Sequence, residues 1–118
     1  ATVGSLTLND SVLNLRKSLT AGDAGSRLVL NGNVTSTGTS SIIVETVSGT
    51  IGASNVELSG TAGAANRSFN VTGTLTVSAP IVNGAATPGS LTKTGAGTLV
   101  QSGVNTYSGT TNANAGVL

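Results

Sequence analysis

GSLTKTGAGTLVQSGVNTYSGTTNANAGVL, residues 89–118, sets single apolar residues among glycines and small hydroxyl or amide residues. In its first part, Leu91 and Leu99 flank the tetrapeptide TGAG at 94–97. Two short strands whose side chains alternate across the sheet would turn both leucines inward, and the paired glycines supply a flexible corner between them. Tyr107 fits the same scheme, with its ring laid along the stacked strands and its hydroxyl hydrated or bonded.

Working back toward the start, apolar pairs two positions apart recur: Leu6 and Leu8, Leu13 and Leu15, Leu28 and Leu30, Ile42 and Val44, Val56 and Leu58, Phe69 and Val71, Leu75 and Val77. A period of two means strands with one buried face. From Leu13 the first members stand at 13, 28, 42, 56 and 69, a near-regular spacing that marks a repeat. Each step is either one small coil or one side of a larger one. Between the pairs lie TAGDAGS (20–26), NGN (31–33), STGTSS (36–41), SGTAGAAN (59–66) and NGAATPGS (83–90), whose composition suits tight turns. SVLNLRKSL (11–19) comes nearest to a helical pattern, but its VLNL also alternates, and the expectation is all-β.

The 118 residues are expected to form one domain, and the composition restricts its core. There is one Phe and one Tyr, with no Trp, Met, Cys or His, against 17 Gly and 45 Ser, Thr and Asn. Val, Leu and Ile must then bury themselves in thin, repeated layers rather than around aromatic anchors. Only 8% of residues are charged and two are proline, which is unlike a disordered chain. The net charge of +1 is scattered, with no basic run to neutralise successive phosphates, so no nucleic-acid partner is expected. No apolar run reaches the roughly 18 residues of a membrane span, and Ala1 is not followed by a signal-peptide pattern.

Two all-β architectures remain. An antiparallel β-sandwich of this size would show roughly seven short strands, normally with a larger central residue such as Trp. A parallel β-helix, or β-solenoid, accommodates the abundant Thr, Ser and Asn as ladders of like side chains on successive coils. The composition favours the solenoid.

The pattern formed by Leu91, Lys93, Gly95, Gly97, Leu99, Gly103, Asn105, Tyr107, Gly109, Thr111, Gly116 and Leu118 resembles the autotransporter-associated β-strand repeat, also called the passenger-associated transport repeat. Segments upstream, such as SLTLNDSVLNL and RSFNVTGTLTVSAPIVNG, are similar to the sequence that surrounds this repeat in long bacterial proteins. The resemblance implies an extracellular parallel β-helix of a bacterial surface or secreted protein. Gln101, Asn112 and Asn114 depart from it by placing polar residues where relatives are more apolar.

The chemistry of catalysis is sparse. Asp10, Asp23, Glu45 and Glu57 are the only carboxylates; stacked coils could bring Glu45, Glu57 and Arg67 together, but solvated side chains are the expected state. Without His or Cys, the usual nucleophile and base pairs are missing, and no phosphate loop, dinucleotide fingerprint or calcium loop is present. The sequence therefore points to a non-enzymatic protein without a cofactor or metal. Both termini, ATVGSLTL and NAGVL, are strand-like and apolar. The expected role is a structural subunit, one solenoid unit over 1–118, that joins copies of itself head to tail through Val3, Leu6, Leu8, Val117 and Leu118. The second reading is an adhesive module that meets polysaccharide or a cell surface. Either belongs outside the cell or on its surface.

Overall fold

The computed structural model describes residues 1–16, 26–45 and 54–118. They contain eleven strands and no helix: β1 Thr2–Val3, β2 Leu6–Asn9, β3 Val12–Arg16, β4 Arg27–Leu30, β5 Val34–Thr37, β6 Thr39–Glu45, β7 Asn55–Val71, β8 Thr74–Val77, β9 Ile81–Thr94, β10 Thr98–Gln101 and β11 Thr111–Ala113. Every strand pairing among these residues is parallel. The chain is an all-β solenoid, and the antiparallel sandwich is ruled out. Residues 11–16 of the segment with a helical pattern include β3; its remainder, most of TAGDAGS and Asp23 lie outside the described residues.

The near-regular spacing of apolar pairs is one side of a larger coil. Leu13 pairs with Ile42 and Leu28 with Val56, so alternate members of the series stack on one another. One rung runs through Leu6, Val34, Phe69, Lys93 and Ala113 and so crosses five successive coils. Its advances of 28, 35, 24 and 20 residues show that coil length varies while register is kept. The strands divide into a seven-stranded sheet, containing β1, β2, β4, β5, β7, β9 and β11, and a four-stranded sheet in the order β10, β8, β6, β3.

Between the sheets lies the thin core that the composition requires. Leu30, Val34, Ile42, Val56, Leu58, Phe69, Val71, Leu75, Val77, Ile81, Leu91 and Leu99 are completely buried. Each comes from an alternating position, and each contributes roughly 1.5–3 kcal/mol by leaving water. SGTAGAAN and NGAATPGS are not turns between strands, as expected, but irregular parts of β7 and β9. The register shifts between Ser59 and Gly63 and again between Gly63 and Ala65. Left-handed Gly63 and Gly84 let these extra residues bulge outward while the paired strands continue on both sides.

The corner between the sheets explains where glycine is indispensable. Gly38, Gly73, Gly97 and Gly116 stack there in successive coils, and a Cβ on each of the last three would overlap the carbonyl oxygen of the glycine before it. This closeness permits the vertical hydrogen bonds from Thr74 N to Gly38 O at 2.8 Å, Thr98 N to Gly73 O at 2.8 Å and Val117 N to Gly97 O at 3.0 Å. In the first coil Asp10 takes the left-handed conformation at φ 45°. Its Oδ1 accepts a 2.8 Å bond from Thr39 N of the next coil, so the carboxylate ties the first corner to the second. Elsewhere, side-chain amides finish the ladders: Asn33 Oδ1 accepts from Ser68 N at 3.0 Å and Asn105 Oδ1 from Ile81 N at 2.9 Å.

Candidate functional site

The parallel stacking leaves open backbone at both ends. At the first coil, β1 pairs only with β4, β2 only with β5 and β3 only with β6 among the described residues. At the other end β11 pairs only with β9, and the outer side of β10 meets a single bridge, Thr98 to Val117. The sequence-derived association residues divide between these ends. Val3 and Leu6 are half-buried and Leu8 is buried in the first coil, whereas Val117 and Leu118 are 59% and 47% exposed in the last. Edge strands of this kind carry N–H and C=O groups not paired within the sheet.

Beneath the last coil sits a group to which the sequence reading gave no role. Lys93 follows Phe69 on the inward rung and is completely buried. Its aliphatic stem continues the apolar column, and its Nζ donates to the carbonyls of Thr94 at 2.6 Å, Gly95 at 2.7 Å, Ala115 at 3.2 Å and Val71 at 3.4 Å. Backbone carbonyls that diverge at the glycine corner thereby share one cation. Arg67 uses the same chemistry two positions before Phe69: it is half-buried, and its Nε donates to Leu30 O at 2.8 Å. Alternation held the clue, because Leu91 and Lys93 share one face, so an inward leucine implies an inward lysine.

Burial holds the Lys93 ammonium below the usual lysine value of 10.5. Between the lowered value and 10.5 the unfolded chain binds more protons than the native one, so the contribution of this group to stability rises with pH. Measured by urea unfolding, the wild type should therefore gain stability relative to Lys93→Met as pH approaches 10.5. A relative loss over that range would contradict the linkage.

Among the described residues the carboxylates do not gather. Glu57 Oε1 pairs with Arg27 Nη1 at 3.2 Å, and Arg67 is engaged with Leu30 instead. Glu45 belongs to β6 in the other sheet, and its side chain lies outside the described residues. Glu57 is itself a correction to the solvated reading, being only 8% exposed. It sits in the floor of a pocket of ≈ 490 Å³, and the bulged strands bring Gly60 and Gly84 to the same pocket. The position where a Gly84 Cβ would lie is 2.8 Å from Glu57 Cβ, so the glycine lets the backbone close over the acid. Among the described residues this arrangement has one carboxylate and one exposed guanidinium.

Tyr107 packs partly against the core and its hydroxyl meets Thr111 Oγ1 at 2.6 Å and Gln101 Oε1 at 3.4 Å. Gln101 occupies the inward column after Leu13, Ile42 and Val77, and the tyrosine hydroxyl meets its amide oxygen there. Leu91 and Leu99 are inward and fully buried, as expected. Asn112 and Asn114 are exposed, which removes any conflict between their polarity and the core.

The sequence model of the passenger-associated-transport-repeat family matches residues 91–118. Comparisons with curated proteins and with solved structures find no match. The matched segment comprises the end of β9, the TGAG corner, β10 and all of the last coil, and thus holds both the buried lysine and the exposed edge. Residues 91–118 are similar to the passenger-associated transport repeat, and in this chain they close one end of a parallel β-solenoid.

Proposed function

We propose that the chain is a structural unit of a bacterial extracellular fibre or surface stalk, extended end to end by further solenoid coils. The observation that carries this reading is the pair of open strand edges, β1 to β3 at one end and β10 with β11 at the other. They offer parallel backbone ladders of the kind that already joins the five coils. A contact between unlike ends does not close on itself and propagates as a filament. Val3, Leu6 and Leu8 at the first coil and Val117 and Leu118 at the last supply apolar contacts for it. Leu118 of one unit meets Ala1 of the next in this arrangement, whether the units are covalently joined or separate. The role is mechanical and non-enzymatic, and its place is outside the cell.

Sedimentation velocity over a concentration series tests end contact. The wild type is expected to form progressively larger species, and Leu6→Lys or Val117→Asp should each hold the protein as a monomer. A wild type that stays monomeric at every concentration defeats noncovalent extension.

An adhesive module is the second reading. Thr7, Thr35, Asn70 and Thr94 align in one outward row of the large sheet, uncharged and rich in hydrogen-bonding groups. Such a row suits a neutral polysaccharide better than an ionic partner.

A further inference from the structure

The bulged segments of β7 and β9 stand beside the outer face of the first two coils and close a pocket there. Its walls come from four successive coils: Thr2 from the first, Arg27 and Val29 from the second, Glu57 and Gly60 from the third, Gly84 and Ala85 from the fourth. The pocket therefore belongs to the side of the solenoid and not to either end. At ≈ 490 Å³ it falls within the range of small-molecule sites, roughly 300–1,000 Å³.

Glu57 is the feature that strand geometry does not ask for. It pairs with Val29 on a row whose neighbours Leu28 and Val56 face the core, so a Glu here should reach into water, yet its side chain is only 10% exposed. A carboxylate withdrawn this far needs hydrogen bonds to offset its lost hydration. Glu57 has one, from Arg27 Nη1 at 3.2 Å, and among the described residues its Oε2 has none. Oε2 points instead at Gly84, whose Cβ position lies 2.9 Å away, so any other residue there would crowd the oxygen. The Arg27 side chain is 59% exposed and keeps further N–H donors beside the acid.

We propose that this lateral pocket is a binding site for a neutral sugar ring. One ring hydroxyl donates to Glu57 Oε2, its neighbour accepts from Arg27, and the aliphatic face of the ring lies on Ala85. The two charges cancel, so an ionic ligand gains little net attraction. An amine would satisfy the acid alone and an oxyanion the guanidinium alone, whereas adjacent hydroxyls, which donate and accept, satisfy both. The site stands apart from the ends through which units join, and its test is independent of theirs.

Amide chemical shifts of the ¹⁵N-labelled full chain, followed as methyl α-D-glucoside, methyl α-D-galactoside or methyl α-D-mannoside is added, test the assignment. At least one glycoside should shift the Gly60, Gly84 and Ala85 amides saturably, with a dissociation constant of about 1 mM. Glu57→Gln keeps the shape of the side chain but removes its charge, and should weaken binding about tenfold or more. Ala85→Trp fills the pocket from an exposed wall and should abolish binding, which carries the test where Glu57→Gln does not fold. No saturable shift with any of the three glycosides would overturn the site. So would glycoside shifts confined to the row of Thr7, Thr35, Asn70 and Thr94, shifts at the pocket with methylammonium or sulfate but no glycoside, or glycoside binding that both variants leave unchanged.

Discussion

Gly73→Ala should lose most of its stability. Its Cβ would overlap Gly38 O and stand 2.7 Å from Gly38 C and 2.8 Å from Gly38 N, all of them backbone atoms that cannot swing aside. Relief requires the third coil to lift off the second at the corner, stretching the 2.8 Å bond from Thr74 N to Gly38 O. The same shift disturbs the floor on which Gly97 rests, because Gly97 approaches Gly73 O as closely as backbone permits. We expect a cost of about 3 kcal/mol or more and a melting temperature lowered by at least about 10 °C. Gly4→Ala is the control, since nothing lies within 4 Å of its Cβ position, and thermal unfolding should barely register it. Equal melting temperatures for the two variants would show that the corner is wider than described.

Phe69→Ala should cost about 3–5 kcal/mol by chemical denaturation. Phe69 is the largest of the completely buried side chains, and its rung neighbours Val34 and Lys93 are themselves fully buried. Parallel strands on either side are pinned by their ladders, so the rung cannot collapse into the void. The cavity would also border the stem of Lys93 and let water approach the ammonium. Phe69→Leu, which refills most of the space, should lose much less. A cost near 1 kcal/mol for the alanine variant would mean that residue 69 is not at the centre of the core.

The architecture was legible because solenoid strands are written in alternation. Leu13 with Leu15 and Leu28 with Leu30 revealed inward faces, and the chain had too few large side chains for any core but a thin one. Which strands pair was not legible, since Leu13 meets Ile42 rather than Leu28, and a step of constant length fits one side of a coil as well as a whole one. SGTAGAAN and NGAATPGS misled for a related reason: left-handed glycines serve an outward bulge as readily as a turn, and only the pairing of β7 with β9 distinguishes them. At the site, the exposed Val117 and Leu118 follow from an apolar strand on the last coil. Lys93 could have been placed inward by parity with Leu91, but the carbonyls of Val71 and Ala115 that receive its ammonium come from other coils. Glu57 had outward parity between Val56 and Leu58, and its burial depends on Arg27 and on the bulges brought over it by folding.

The central claim is that this solenoid extends by stacking coil on coil through its open ends. Fibre diffraction from aligned, concentrated protein tests it most directly. The account predicts filaments whose meridional reflection lies near about 4.8 Å, the spacing of paired strands, so that the strands run across the fibre axis and the coils continue from one unit into the next. A concentrated protein that gives only isotropic scattering from separate particles, or fibres without that meridional spacing, would contradict it.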